Sequence, residues 1–175
     1  ERFKQGAFEE DGASLEGIGY WCYGLLHYVG LGEMLRARTG GAIDLLADPK
    51  MKVIARYPAA VALDRHVFAS FSDSHERATI PLFLAARLAE RTDTPALLTQ
   101  ADEGGSWRLS TRLRNLLWAT GVPEGEPIIE SACLPRSGVI KLVGDAAGTR
   151  VVLAAKAGHN AEPHNHCDVG SFILR

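Results

Sequence analysis

Several features are scarce in this sequence, and each scarcity closes off a class of protein. No apolar run approaches the roughly 18 residues that cross a bilayer, so no membrane insertion is expected. The opening Glu1-Arg2-Phe3-Lys4 lacks the charged-then-apolar layout of a secretory leader. Cysteine is rare: Cys22, Cys133 and Cys167 are odd in number and widely spaced, which is neither a disulfide framework nor a zinc-knuckle pattern. Basic excess is missing too. The formal net charge is -2 and no stripe of Lys and Arg is evident, which argues against nucleic acid as a partner, because phosphate contacts need concentrated positive charge. An anionic substrate needs only a few local cations. The chain has no P-loop, no dinucleotide fingerprint and no Gly-x-Ser-x-Gly elbow. There is no initiator Met, and Ser171-Phe172-Ile173-Leu174-Arg175 ends inside an apolar strand pattern, so the chain reads as an internal fragment of a longer protein.

Apolar residues are plentiful. At 46% hydrophobic over 175 residues, the chain can bury a real core. From Glu16 to about Arg38, Ile18, Trp21, Cys22, Leu25, Leu26, Val29 and Leu31 recur at steps of three and four, the period of an amphipathic helix ended by Gly40-Gly41. Asp48-Pro49 predicts a capped helix that runs to about Tyr57, where Pro58 interrupts. Asp73 and Glu76 resemble a capping box, but Pro81 makes Ile80–Arg91 the better-supported helix, capped by Thr79. A shorter helix is expected from Ser110 to Ala119, closed by Gly121. After Pro123 the texture changes to short β-branched runs over 127–130, 138–143, 150–156 and 170–174, with Asp145-Ala146-Ala147-Gly148 as a hairpin turn. A helical block followed by a β block predicts an α+β, multidomain chain: a helical unit over 1–122 and a β unit over 126–175.

Two clusters carry chemistry. In His164-Asn165-His166-Cys167-Asp168-Val169-Gly170-Ser171-Phe172, residues two apart share one face of a strand, so His164, His166 and Asp168 are expected to point the same way, into a metal site or a substrate cleft. His159 and Asn160 add polar groups just before it. Two histidines do not close a tetrahedral zinc site, so any metal needs further ligands. The other cluster runs from Asp11 to Gly24. Glycines at 12, 17, 19 and 24 leave backbone open around Tyr20, Trp21 and Tyr23, an arrangement suited either to close approach of a sugar ring or to a helix whose aromatic rings simply face the core. His27 and His66 read as core or rim residues, His75 as part of a turn, and Glu16 with Asp11 as a carboxylate pair of unknown separation.

The blocks Asp11-Gly12 through Glu16-Gly17, Gly19-Tyr20-Trp21-Cys22-Tyr23-Gly24, Lys156-Ala157-Gly158-His159-Asn160 and His164 to Phe172 resemble, in this order and spacing, the heparinase II/III family of polysaccharide lyases, which includes oligoalginate lyases. The resemblance implies the C-terminal part of an α/α toroid followed by the first strands of an antiparallel β-sandwich. It implies β-elimination on a uronic-acid-containing polysaccharide, with an acidic polysaccharide or oligosaccharide as partner. Under it, Tyr20 is the catalytic tyrosine and His164 the histidine that takes the C5 proton. Glu16, Trp21, Tyr23, His159, Asn160 and Asn165 fall in the substrate cleft. His166 matches one ligand of a Zn2+ ion whose other ligands lie beyond residue 175. The family's usual place in the bacterial periplasm or cell envelope is the implied localisation. A glycoside hydrolase on a similar toroid using Glu16 and Asp11, or an acidic-sugar-binding protein without turnover, are the alternatives.

Overall fold

A computed structural model describes residues 2–102, 108–119, 125–163 and 166–175. A short α1 (Arg2–Ala7) precedes α2 (Gly17–Arg38) and α3 (Pro49–Val61). The hairpin β1 (Ala62–Asp64) and β2 (Val67–Phe68) leads to β3 (Ile80–Pro81) and α4 (Leu82–Thr92). A 3-10 turn (Pro95–Gln100), β4 (Ala101–Asp102) and α5 (Leu109–Trp118) complete the helical part. An antiparallel meander follows, in the order β5 (Ala132–Leu134), β6 (Val139–Ala146), β7 (Thr149–Lys156), β8 (Phe172–Leu174). Among the described residues, no helix is long and apolar enough to cross a membrane.

The three- and four-residue periodicity builds α2, burying Ile18, Trp21, Leu25, Leu26 and Val29 along one stripe, whereas Cys22 is only partly buried and Leu31, expected on the same stripe, is exposed. Gly40 and Gly41, both at positive φ, stop it. In α3, Asp48 accepts the Lys50 N–H at 2.8 Å and Pro49 occupies the first turn, as their residue types dictate. The expected break at Pro58 does not occur, and the helix continues to Val61. Proline removes one N–H and strands the carbonyl four residues earlier. That carbonyl, of Ile54, accepts the Trp21 indole N–H at 2.9 Å.

Two other expectations shift. The fourth helix starts at Leu82 rather than Ile80, because Ile80 and Pro81 pair in parallel with Ala101 and Asp102; Pro81 takes the N-cap position in extended geometry and Thr79 is not the cap. The Asp73/Glu76 pair caps no helix, and Glu76 instead accepts from Arg175 at 3.1 Å. In the β half, 127–130 forms no strand. Pairing with β6 begins only at Ala132, since the Ser131 hydroxyl takes the Val143 N–H that a longer ladder would use. Asp145–Gly148 does make the β6–β7 turn, with Ala147 and Gly148 at positive φ and the Gly148 N–H on the Asp145 carboxylate at 2.8 Å.

The helical and β parts share one apolar cluster, in which Leu134, Val139, Val152 and Ala154 of the sheet join Trp21, Met51, Ile54, Phe68 and Phe83. Lys141 points inward with them and is 1% exposed; its ammonium donates to the carbonyls of Ala59 (2.7 Å) and Ala62 (2.9 Å) at the end of α3. A cation at a helix C-terminus satisfies two carbonyls that the helix leaves open. The opposite face of the sheet carries Ile140, Leu142, Phe172 and Leu174, all exposed.

Candidate active site

The first turn of α2 sets the site. With Ile18, Trp21 and Leu25 turned inward, the helical period turns Tyr20 and Tyr23 outward, 37% and 56% exposed. Together with Gly19, Asp73 and His75 they line a cleft of about 550 Å³. A smaller hollow of about 210 Å³ shares both tyrosines and adds Phe3, Phe8, Ser14 and Glu16. Tyr20 therefore has open space beside it, with a carboxylate and an imidazole on the cleft wall.

Segment 72–75 forms that wall, and it sits close to α2 because of a glycine. Gly17 has φ +79°, and a Cβ there would lie 2.6 Å from Ser74 Cβ and 3.1 Å from the Phe71 carbonyl oxygen. Gly12, at φ +84°, lets the backbone approach Val53 of α3 in the same way. The expectation that the glycines keep backbone open for a ligand is thus corrected at Gly12 and Gly17, which serve internal contacts. Gly19 alone of the four faces the cleft, where a Cβ would meet nothing closer than 4.0 Å.

The β half reaches the same wall. His166 Nε2 lies 3.8 Å from Asp73 Oδ1, and Asp168 Oδ2 accepts the Ser72 N–H at 2.5 Å. Strand alternation does not arrange this, contrary to expectation: residues 166–168 precede β8, and Cys167 adopts φ +58°. A turn, rather than a pleat, directs His166 and Asp168 to neighbouring residues of one loop.

The other sequence-derived site residues divide. Trp21, expected among the substrate-cleft residues, is 0% exposed and hydrogen-bonded to Ile54, so it is a core residue; burial of both its face and its N–H leaves no platform for a sugar. Tyr23 flanks Tyr20, and Glu16 lines the smaller hollow. His159 is exposed on the loop after β7, with its Nδ1 accepting the Ala161 N–H at 3.2 Å, and Asn160 is exposed beside it; neither is among the described residues lining the cleft. His164 and Asn165 lie outside the described residues. Asp11, the partner of Glu16 in the hydrolase alternative, has both carboxylate oxygens engaged, by the N–H groups of Ala13 (3.2 Å) and Arg136 (2.9 Å).

Sequence reasoning passed over Asp73 and His75 as turn residues. A run Ser72-Asp73-Ser74-His75 directly after Phe71 was the available signal, since charged or ionisable side chains that cap no helix, such as Asp73 and His75, are most often turned toward solvent. Among the described residues, no three His, Cys, Asp or Glu side chains converge on a point. His166 and Asp73 by themselves fall short of a tetrahedral donor set.

Among the described residues, three groups are displaced from their ordinary pKa, all mainly by burial. The Cys22 thiol is pushed up to about 12. Tyr57 is raised, by burial and then by the charge of Glu162. Lys141 is lowered to about 8, with Glu130 opposing the shift. No protein-family model matches this chain, and no curated protein matches it.

Proposed function

We propose that the chain is part of the catalytic module of a polysaccharide lyase that cleaves a uronic-acid-containing chain by β-elimination, with Tyr20 as general acid and His164 as base. The single observation that supports this most is that the histidine-rich loop touches the wall of the Tyr20 cleft: Tyr20 and Asp73 line the opening, and Asp168 and His166 reach Ser72 and Asp73 of the wall segment. The apolar outer face of the sheet is the kind of surface a sandwich partner layer covers, which fits the toroid-plus-sandwich resemblance.

In such a reaction the base removes the C5 proton, the electron pair forms the C4–C5 double bond, and the glycosidic C4–O bond breaks. The departing oxygen needs a proton, and a phenol is protonated at neutral pH and ready to donate it. Asp73 on the cleft wall repels a uronate carboxylate, so a bound sugar would turn its carboxyl group away from that side. The hydrolase alternative is disfavoured by Asp11, whose two oxygens are already held by backbone N–H groups.

The test is direct. Incubated with alginate, heparin or heparan sulfate oligomers, the full-length enzyme should release products bearing an ultraviolet-absorbing unsaturated uronate. Tyr20→Phe should lower turnover about 10²-fold or more, the effect of losing a positioned acid. New reducing ends without that chromophore would establish hydrolysis, and binding without cleavage would establish a lectin-like role.

A further inference from the structure

The chain between β7 and β8 carries His159 and His166 among its described residues, and several bonds tie it down. At its base, Lys156 N–H donates to Ser171 O (3.0 Å), Gly170 N–H to Lys156 O (2.8 Å) and Ala157 N–H to Gly138 O (2.7 Å). On the sheet side, Glu162 Oε2 meets Lys156 Nζ at 2.6 Å, the two side chains being only 4% and 5% exposed, and the same ammonium reaches Ser137 O at 3.4 Å. A buried pair of this kind holds its geometry because separating it leaves a charge without a counter-ion. On the cleft side, Cys167 turns the chain through a left-handed conformation that a side chain adopts only at a cost. That turn brings the Asp168 carboxylate to the Ser72 N–H, 96 residues away in the chain. The Asp168 carbonyl in turn accepts the Ser171 N–H at 2.8 Å.

We propose that Asp168 is a positioning residue: by accepting the Ser72 N–H it locks the histidine-bearing loop of the sheet onto the wall of the Tyr20 cleft, while Glu162 and Lys156 anchor the loop's other side. The proposal goes further than the lyase reading by giving Asp168 a role without contact to substrate, and it rests on that reading only for its turnover arm. The tie itself is a property of the fold. The attachment at Ser72 then depends on an acceptor oxygen rather than on a carboxylate charge.

The experiment compares Asp168→Ala and Asp168→Asn in the full chain, reading hydrogen exchange by segment and, with uronate oligomers, kcat and KM. Asp168→Ser, which shortens the side chain by one atom and pulls its oxygen back from the Ser72 N–H while keeping a polar group in the turn, stands in if the alanine variant does not fold. In Asp168→Ala, exchange in residues 70–76 and 166–171 should rise together by about tenfold or more while β6 and β7 stay protected. Turnover should fall about tenfold or more with KM little changed, the signature of misplacement rather than lost binding. Asp168→Asn keeps an acceptor oxygen and should recover most of both. Unchanged exchange in Asp168→Ala and Asp168→Ser would overturn the tie. An Asp168→Asn enzyme as slow as Asp168→Ala would overturn the positioning role in favour of a direct one for the charge. If the wild-type chain cleaves no uronan, the lyase reading fails and the exchange measurement alone decides this proposal.

Discussion

Trp21 and Ile54 are joined by a 2.9 Å hydrogen bond from the indole N–H to the one helical carbonyl that Pro58 leaves without its usual donor. The bond explains two things together: why a proline sits inside α3 without ending it, and why the most conspicuous aromatic ring of the tyrosine-rich motif faces the core. Trp21→Phe should destabilise the chain by about 1–3 kcal/mol through the orphaned carbonyl, beyond its loss of volume. In a Pro58→Ala background, residue 58 regains an N–H and should satisfy Ile54 itself. The penalty of Trp21→Phe should shrink there, and urea titrations of the four proteins in a double-mutant cycle measure the difference. Equal penalties in both backgrounds would show that the indole bond is not coupled to the proline.

Gly17 decides how closely the cleft wall approaches α2. Gly17→Ala meets both a positive φ and a 2.6 Å contact with Ser74 Cβ, so it should cost about 1–3 kcal/mol and displace segment 71–74. Gly19→Ala, in open space on the same turn, should leave stability within about 0.5 kcal/mol of wild type. Thermal melts of the two variants distinguish the positions.

Lys141 gives the stability a pH dependence of known sign. Its pKa is lowered to about 8 in the folded chain from an ordinary 10.5. Below pH 8 both states hold the proton and the cost of the buried charge is fully present. Between pH 8 and 10.5 the unfolded state holds more protons than the folded state, so stability rises with pH through this window. The advantage of wild type over Lys141→Met should grow across it by at most about 1.4 kcal/mol per pH unit. Parallel stability curves for the two proteins from pH 7 to 10 would exclude this effect.

The cysteines should separate by reactivity. Cys133 and Cys167 are exposed, whereas the Cys22 thiol is pushed up to about 12 and is almost wholly protonated at neutral pH. A thiol reagent at pH 7.5 should modify Cys133 and Cys167 in the native chain well before the half-buried Cys22, and the gap should close in denaturant. Labelling of native Cys22 as fast as that of Cys133, located by peptide mapping, would contradict its raised pKa.

Local rules carried much of the fold. The α2 stripe, the Asp48-Pro49 helix start, the Gly40-Gly41 stop and the Asp145–Gly148 turn were all legible, because each depends on residues within a few positions of one another. Misreadings occurred where a distant residue intervened. Pro58 was forgiven by Trp21, Ile80 and Pro81 were drawn into pairing with Ala101 and Asp102, and Ser131 ended β5 by taking a ladder N–H. The site divides the same way. Tyr20 and Tyr23 were readable as chemically interesting, but the same motif offered Trp21 equally, and only packing showed which rings face water.

What the amino-acid order determined by itself is much of the inventory: the longer helices and the β6–β7 hairpin, though neither α1 nor the β1–β2 hairpin, and which side chains can exchange protons. What tertiary structure decided is company. Asp73 and His75 join Tyr20, and His166 and Asp168 reach Asp73 and Ser72 through a left-handed turn at Cys167 rather than along a strand. The physical reason is range. Periodicity and capping act over a few residues, whereas the donor that rescues Ile54 and the acceptor that holds Ser72 are 33 and 96 positions away, and only the folded chain brings them within hydrogen-bond distance.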